Sequence, residues 1–146
     1  MSFRDSVSLP VRAGIALAGN PLRLIEMRVP CDECAPAAAR QALAGLRVLR
    51  GQIGDLTLIA SELITNAVLH SGCTTEDELE LLLEWTDGHL RLSVLDPGRT
   101  GKSAKLAMDE QRASGGVGLF LVEQLASQWG AERSEHYRVW AEVPVA

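Results

Sequence analysis

Residues 58–72, LIASELITNAVLHSG, decide how this chain is read. Leu56, Ile59, Ala60, Leu63, Ile64 and Ala67 recur at helical spacing and form one apolar stripe. Asp55 stands where an N-cap belongs, and Gly72 where a helix stops. Glu62, Asn66 and His70 run along one edge of the stripe at four-residue steps. Each such step drifts ~40° around the axis, so the row starts on the outer flank and walks toward the buried edge. A helix that packs on a core while lining its rim with an acid, an amide and an imidazole has the geometry of a cleft wall. A solvated polar flank is the plainer reading of the same row. The chemistry is suggestive, because a carboxylate accepts protons and an amide oxygen suits Mg²⁺ already held in part by phosphates.

Outward from this helix, alternation and turn residues organise the rest. Residues 22–29 (LRLIEMRV) alternate as a strand, and residues 36–50 are alanine- and leucine-rich, a helix stopping at Gly51. Leu79, Leu81, Leu83 and Trp85 share one strand face. Asp87-Gly88 is a hairpin turn, and residues 89–95 are the returning strand. A mixed-charge loop spans residues 96–115, a further helix residues 118–128, and two short strands residues 129–143. This order predicts an α/β two-layer sandwich, a mixed, mostly antiparallel sheet with helices on one face. Residues 1–20 read as a loosely held extension and residues 21–146 as one domain.

Composition sets the outer bounds. With 146 residues, 47% of them hydrophobic and 23% charged, the chain is an ordinary globular domain. A formal net charge of −5 argues against direct nucleic-acid binding, which needs clustered cations. No apolar run approaches the ~20 residues of a membrane span, and residues 1–20 do not form a signal peptide, so no membrane is expected and the protein reads as cytoplasmic. Three cysteines make no disulfide framework: Cys31 and Cys34 form a CxxC, and Cys73 lies far off in sequence. The CxxC admits a redox role, but small apolar residues closing a strand-to-helix corner explain it as well.

Three further places carry chemistry or its imitation. Asp96-Pro97-Gly98 follows the strand LRLSVL; it is a turn, and a carboxylate there can accept a hydrogen bond from an adenine amino group. Gly115-Gly116-Val117-Gly118-Leu119 opens a helix, where exposed N–H groups and the helix dipole favour a polyphosphate; a ligand-free glycine hinge is the alternative. Residues 98–103, GRTGKS, imitate a phosphate-binding P-loop, but its first glycine would fall at Asp96. Arg99, Lys102, Lys105 and Arg112 instead give this loop a cationic cast.

Together and in order, SELITNAVLHS, the strand ending DPG, and GGVGLFLVEQLASQWG resemble the N-box, G1 and G2 boxes of the GHKL ATPase superfamily. The chain is most similar to the stand-alone bacterial branch of anti-sigma factor serine/threonine kinases and their histidine-kinase-like ATPase relatives, over roughly residues 22–143. The resemblance implies ATP and Mg²⁺ as cofactors. It casts Glu62 as general base and Asn66 as the Mg²⁺-binding amide. Asp96, with Gly98, would read adenine, and Gly116, Val117, Gly118 and Leu119 would meet the phosphates beneath a lid at residues 99–115. The expected partner is an anti-sigma antagonist protein, a sigma factor, or both, and a homodimer is left open. The implied activity is γ-phosphoryl transfer to a serine or threonine of the antagonist. A non-catalytic nucleotide-binding or partner-sequestering module is the rival, and ATP hydrolysis without a protein acceptor fits the same residues. Two features depart from the wider pattern. Arg138 stands where the family often has threonine, and residues 36–50 hold no phospho-accepting histidine, which points away from a complete histidine kinase.

Overall fold

A computed structural model describes residues 21–46, 51–98 and 118–145. The chain order is β1 (Leu22–Pro30), α1 (Ala35–Ala44), α2 (Ile53–His70), β2 (Glu78–Thr86), β3 (His89–Asp96), α3 (Gly118–Leu125), β4 (Gln128–Arg133) and β5 (Tyr137–Pro144). The strands form one sheet in the order β1-β2-β3-β5-β4. All four of these ladders are antiparallel, so the expected mixture resolves to an antiparallel sheet among the described residues. No helix among them is long and apolar enough to cross a membrane.

Strand alternation explains the layers. Leu79, Leu81 and Leu83 on β2, Leu90, Leu92 and Val94 on β3, and Val139, Ala141 and Val143 on β5 all enter the core. There they meet Ala35, Ala39 and Leu43 of α1, the whole expected stripe of α2, and Leu119 and Val122 of α3. Between β2 and β3, Asp87 and Gly88 both have positive φ (45° and 81°), the backbone of a tight type I′ hairpin.

The opposite sheet face is polar and ordered in cross-strand rows. Arg23 pairs with Glu84 at 3.2 Å, and Arg91 with its cross-strand neighbour Glu142 at 2.8 Å. The Arg91 guanidinium also lies 4.0 Å above the Trp140 ring, which leans across Gly130. A Cβ at Gly130 would sit 2.8 Å from that indole, so the glycine leaves room for the ring. Beside Trp140 in the same row, the Ser93 hydroxyl is buried with no hydrogen-bond partner.

Three expected boundaries move, the simplest being α3, which ends at Leu125 rather than at Gln128, the residue that opens β4. Helix α1 ends at Ala44 with Gly45 as its C-cap, well before Gly51. Leu43 is its last buried contact, and a helix interior disfavours glycine by about 1 kcal/mol, so continuation has little to gain. Asp55 does not cap α2: Gln52 holds that position with no side-chain bond, and Asp55 sits in the first turn near the positive end of the dipole. The C-terminal stop is as expected, since Ser71 caps the helix and Gly72 follows with φ 79°.

The cysteines differ from expectation too. Cys31 does close the buried strand-to-helix corner, but it is bonded to Cys73, and Cys34 is free and exposed. Separation in sequence hid this, because α2 folds back so that residues 31 and 73 meet at one end of the sheet.

Candidate functional site

Topology brings the polar residues together. The C-terminal ends of β1 and β3 and the N-terminal ends of β2 and β5 form one end of the sheet, as the pairs Pro30↔Glu78 and Asp96↔Tyr137 show. The Cys31–Cys73 bridge anchors the C-terminal end of α2 at that same end. The Asn66–His70 turn of α2 and the Asp96 end of β3 therefore share one rim of the sandwich. Helix α3 is joined to the sheet at the opposite end, where Ser127 N–H donates to Glu142 O, leaving Gly118 as the helix end not tied to that edge.

On α2, Glu62 is half-buried, and desolvation raises its carboxyl pKa above the ordinary value. One turn later, about 6 Å along the axis, Asn66 is buried at 6% exposure. His70 is less buried again, so the inward walk of the row reaches its deepest point at Asn66 rather than at the helix end. On the outer side of the same turn Leu69 is exposed.

Asp96 is 4% exposed, at the end of β3. Burial pushes its carboxyl pKa up. The Gly98 N–H, which donates to Asp96 Oδ1 at 2.6 Å, and the charges of Arg133 and His136 pull it partly back. Gly98 has φ 71°, a backbone that favours glycine, and a Cβ there would lie 2.9 Å from Arg133 Nη1, the end of a side chain that would have to shift. Arg133 Nη1 donates to Gly98 O at 2.8 Å, and its guanidinium lies 4.8 Å from the centroid of the Tyr137 ring. Sequence reading did not find Arg133, His136 or Tyr137. Their only signal is the β3–β5–β4 register, which a tail read as two short strands does not supply.

The remaining candidates divide clearly. Gly118 opens α3, whereas the Leu119 side chain is fully buried in the core, so a ligand could meet only its backbone. Gly116, Val117, the lid at residues 99–115 and the extension at residues 1–20 lie outside the described residues. Arg138, one residue after Tyr137 on β5, faces the opposite side of the sheet from Asp96 and pairs with Glu132 at 3.8 Å. The threonine-to-arginine departure therefore does not project onto the Asp96 face. An open cavity of about 510 Å³ at the same sheet end is lined by Pro30, Pro97, His136 and the acidic stretch Glu76–Glu78, and does not include Glu62, Asn66 or Asp96.

No group of three or more His, Cys, Asp or Glu among the described residues forms a metal cage. A cation beside Asn66 would take one amide oxygen from the protein and the rest of its shell from phosphate oxygens and water. That donor set is hard and oxygen-only, and fits Mg²⁺.

The family described as the histidine kinase-like ATPase domain matches residues 33–140, most of the chain. The chain belongs to this family. Its α2 carries the Glu62–Asn66 pair and its β3 ends in the Asp-Pro-Gly turn within the matched segment. Among solved structures, the chain is similar to one from the SiaB-SiaC complex of Pseudomonas aeruginosa, with a TM-score of 0.58 and 14% identity over 96% of this chain and 98% of that one. At that identity the likeness shows the fold. No curated protein matches the sequence.

Proposed function

We propose that this ATPase-family domain binds ATP with Mg²⁺ and transfers the γ-phosphoryl group to a serine or threonine of a small anti-sigma antagonist protein. The observation that carries the reading is the pairing, at one rim of the sandwich, of a buried amide one turn from a half-buried carboxylate with a buried aspartate held in a glycine turn. Asp96 would accept the adenine amino group, and Gly98, with no Cβ, would let the ring approach the backbone. Asn66 would offer its amide oxygen to the cation. Gly116, Val117, Gly118 and Leu119 would meet the phosphates through backbone N–H groups at the start of α3. Mg²⁺, when bound, supplies charge neutralisation on the phosphates. Glu62, made more basic by partial burial, would accept the proton of the attacking hydroxyl.

The structural neighbour comes from a complex of two named proteins, which supports a protein partner for this one. Arg138, the departure from the family's threonine that would favour a sequestering module without catalysis, faces away from Asp96.

Incubation with γ-labelled ATP and candidate antagonists tests the proposal. Label on a serine or threonine of the antagonist is expected. Tight nucleotide binding with no transfer to any antagonist would favour the sequestering module, and release of free phosphate alone would favour simple hydrolysis.

A further inference from the structure

Gly98 is held at both of its backbone polar groups. Its N–H donates to Asp96 Oδ1 at 2.6 Å, and its carbonyl accepts from Arg133 Nη1 at 2.8 Å. Arg133 sits on the edge strand β4 and reaches across β5 to the end of β3, resting its guanidinium on the Tyr137 ring. Tyr137 is the cross-strand neighbour of both Arg133 and Asp96, so one ring on β5 serves as the platform between them. A planar guanidinium can lay its face on an aromatic ring while donating in its own plane; an ammonium offers charge without that geometry.

We propose that Arg133 is a positioning residue for the nucleotide site: by fixing the Gly98 carbonyl it locks the turn whose N–H orients the Asp96 carboxylate toward the adenine amino group. This rests on the reading of Asp96 as the adenine acceptor. Two consequences follow from the geometry. With Gly98 N–H fixing Oδ1, the carboxylate is oriented before a ligand arrives, which lowers the ordering cost of binding. Arg133 and His136 are also the charges that oppose the effect of burial on Asp96, so together they favour the ionised form that accepts a hydrogen bond.

The test compares wild type, Arg133→Ala and Arg133→Lys, each also in a His136→Gln background so that titration of the imidazole does not enter. Two quantities are read: the titration of the Asp96 carboxyl by carbon-13 NMR in nucleotide-free protein, and the affinity for ADP by calorimetry across pH. In Arg133→Ala the Asp96 titration is expected to move to higher pH, and ADP affinity at neutral pH to fall about 2- to 12-fold, the scale of one ordinary hydrogen bond, since Asp96 itself is retained. The loss of ADP affinity on acidification should also begin at higher pH. Arg133→Lys should restore the titration position and only part of the affinity. A purely structural role would lower the melting temperature and leave the titration unmoved. An Asp96 titration that is the same in wild type and Arg133→Ala overturns the inference whatever the nucleotide result. If the titration moves but wild type binds no adenine nucleotide, the adenine reading of Asp96 fails and the coupling of Arg133 to Asp96 stands.

Discussion

Asp96→Asn should move stability and binding in opposite directions. The side chain is 4% exposed, and its carboxyl pKa is raised because burial outweighs the Gly98 N–H and the charges of Arg133 and His136. A carboxyl whose folded pKa lies above its unfolded value binds more protons in the native state. Its stabilising contribution is thus complete below the unfolded value of 3.8 and is lost as pH rises through the folded one. At neutral pH, above the unfolded value, Asp96 therefore costs the nucleotide-free protein stability, and an amide of the same shape, still able to accept from Gly98 N–H, removes that cost. For the nucleotide the sign reverses. A charged hydrogen bond to the adenine amino group is worth about 1.5–3 kcal/mol, so ADP affinity should fall roughly 13- to 160-fold, with the preference over GDP reduced. Urea denaturation between pH 4 and 8 should show the variant equal or more stable at neutral pH, with a shallower decline as pH rises; calorimetry should show the loss of ADP. A variant that is clearly less stable at neutral pH and binds ADP like wild type would refute both halves of the reasoning.

Glu62→Ala should leave ATP–Mg²⁺ affinity nearly intact and slow phosphoryl transfer about 10²- to 10⁴-fold in single-turnover assays, the range for a lost general base. Asn66→Ala should instead lower affinity only when Mg²⁺ is present, measured by titration with and without chelator. Opening the Cys31–Cys73 bridge by Cys73→Ser releases a closed loop of 42 residues and should lower stability by up to ~4 kcal/mol on the chain-entropy account, read as a shifted urea midpoint. Gly130→Ala forces a Cβ to 2.8 Å from the Trp140 indole, which must lift from between Gly130 and Arg91. A loss of about 1–3 kcal/mol, with changed tryptophan emission, is expected, and a variant as stable as wild type would mean the ring is not held there.

What was legible in the sequence was whatever repeats locally. The alternation of Leu79, Leu81 and Leu83, the Asp87-Gly88 turn and the α2 stripe each fix an element from a few neighbouring residues, and each lies where it was expected. The end of α1 was less legible, because the helix-compatible stretch LRVLR runs on from Gly45 to Gly51 without signalling which contact is the last. Long-range register was not legible at all. Nothing near Arg133 announces that β4 and β5 will carry it to Gly98, and nothing near Arg138 says that it faces away from Asp96. The same holds for Cys73, whose partner is set by the path of α2. Glu62, Asn66 and Asp96 could be named as candidates from sequence because the expected chemistry travels with short motifs. The side chains around Asp96 could not, because they come from strands joined to it only in space.

The strand order also bears on how the molecule assembles. In chain order β5 follows β4, yet in the sheet it lies between β3 and β4. As synthesis proceeds from the N-terminus, β2 and β3 form a local hairpin that can zip up early, and β1 joins β2 only across the intervening α1 and α2. β4 then emerges with no neighbour in the sheet, and its backbone stays unpaired until β5 arrives to bond β3 on one side and β4 on the other. Until then β3 presents a bare edge that ends at Asp96, the kind of edge that recruits strands from other chains. Tyr137 and Arg133 reach Asp96 and Gly98 in that same final insertion, so the rim around Asp96 is completed by the step that seals the sheet. A nascent chain halted before β5 would hold α2 and the β2–β3 hairpin but neither a closed edge nor a finished Asp96 rim, and would be exposed to aggregation in that interval.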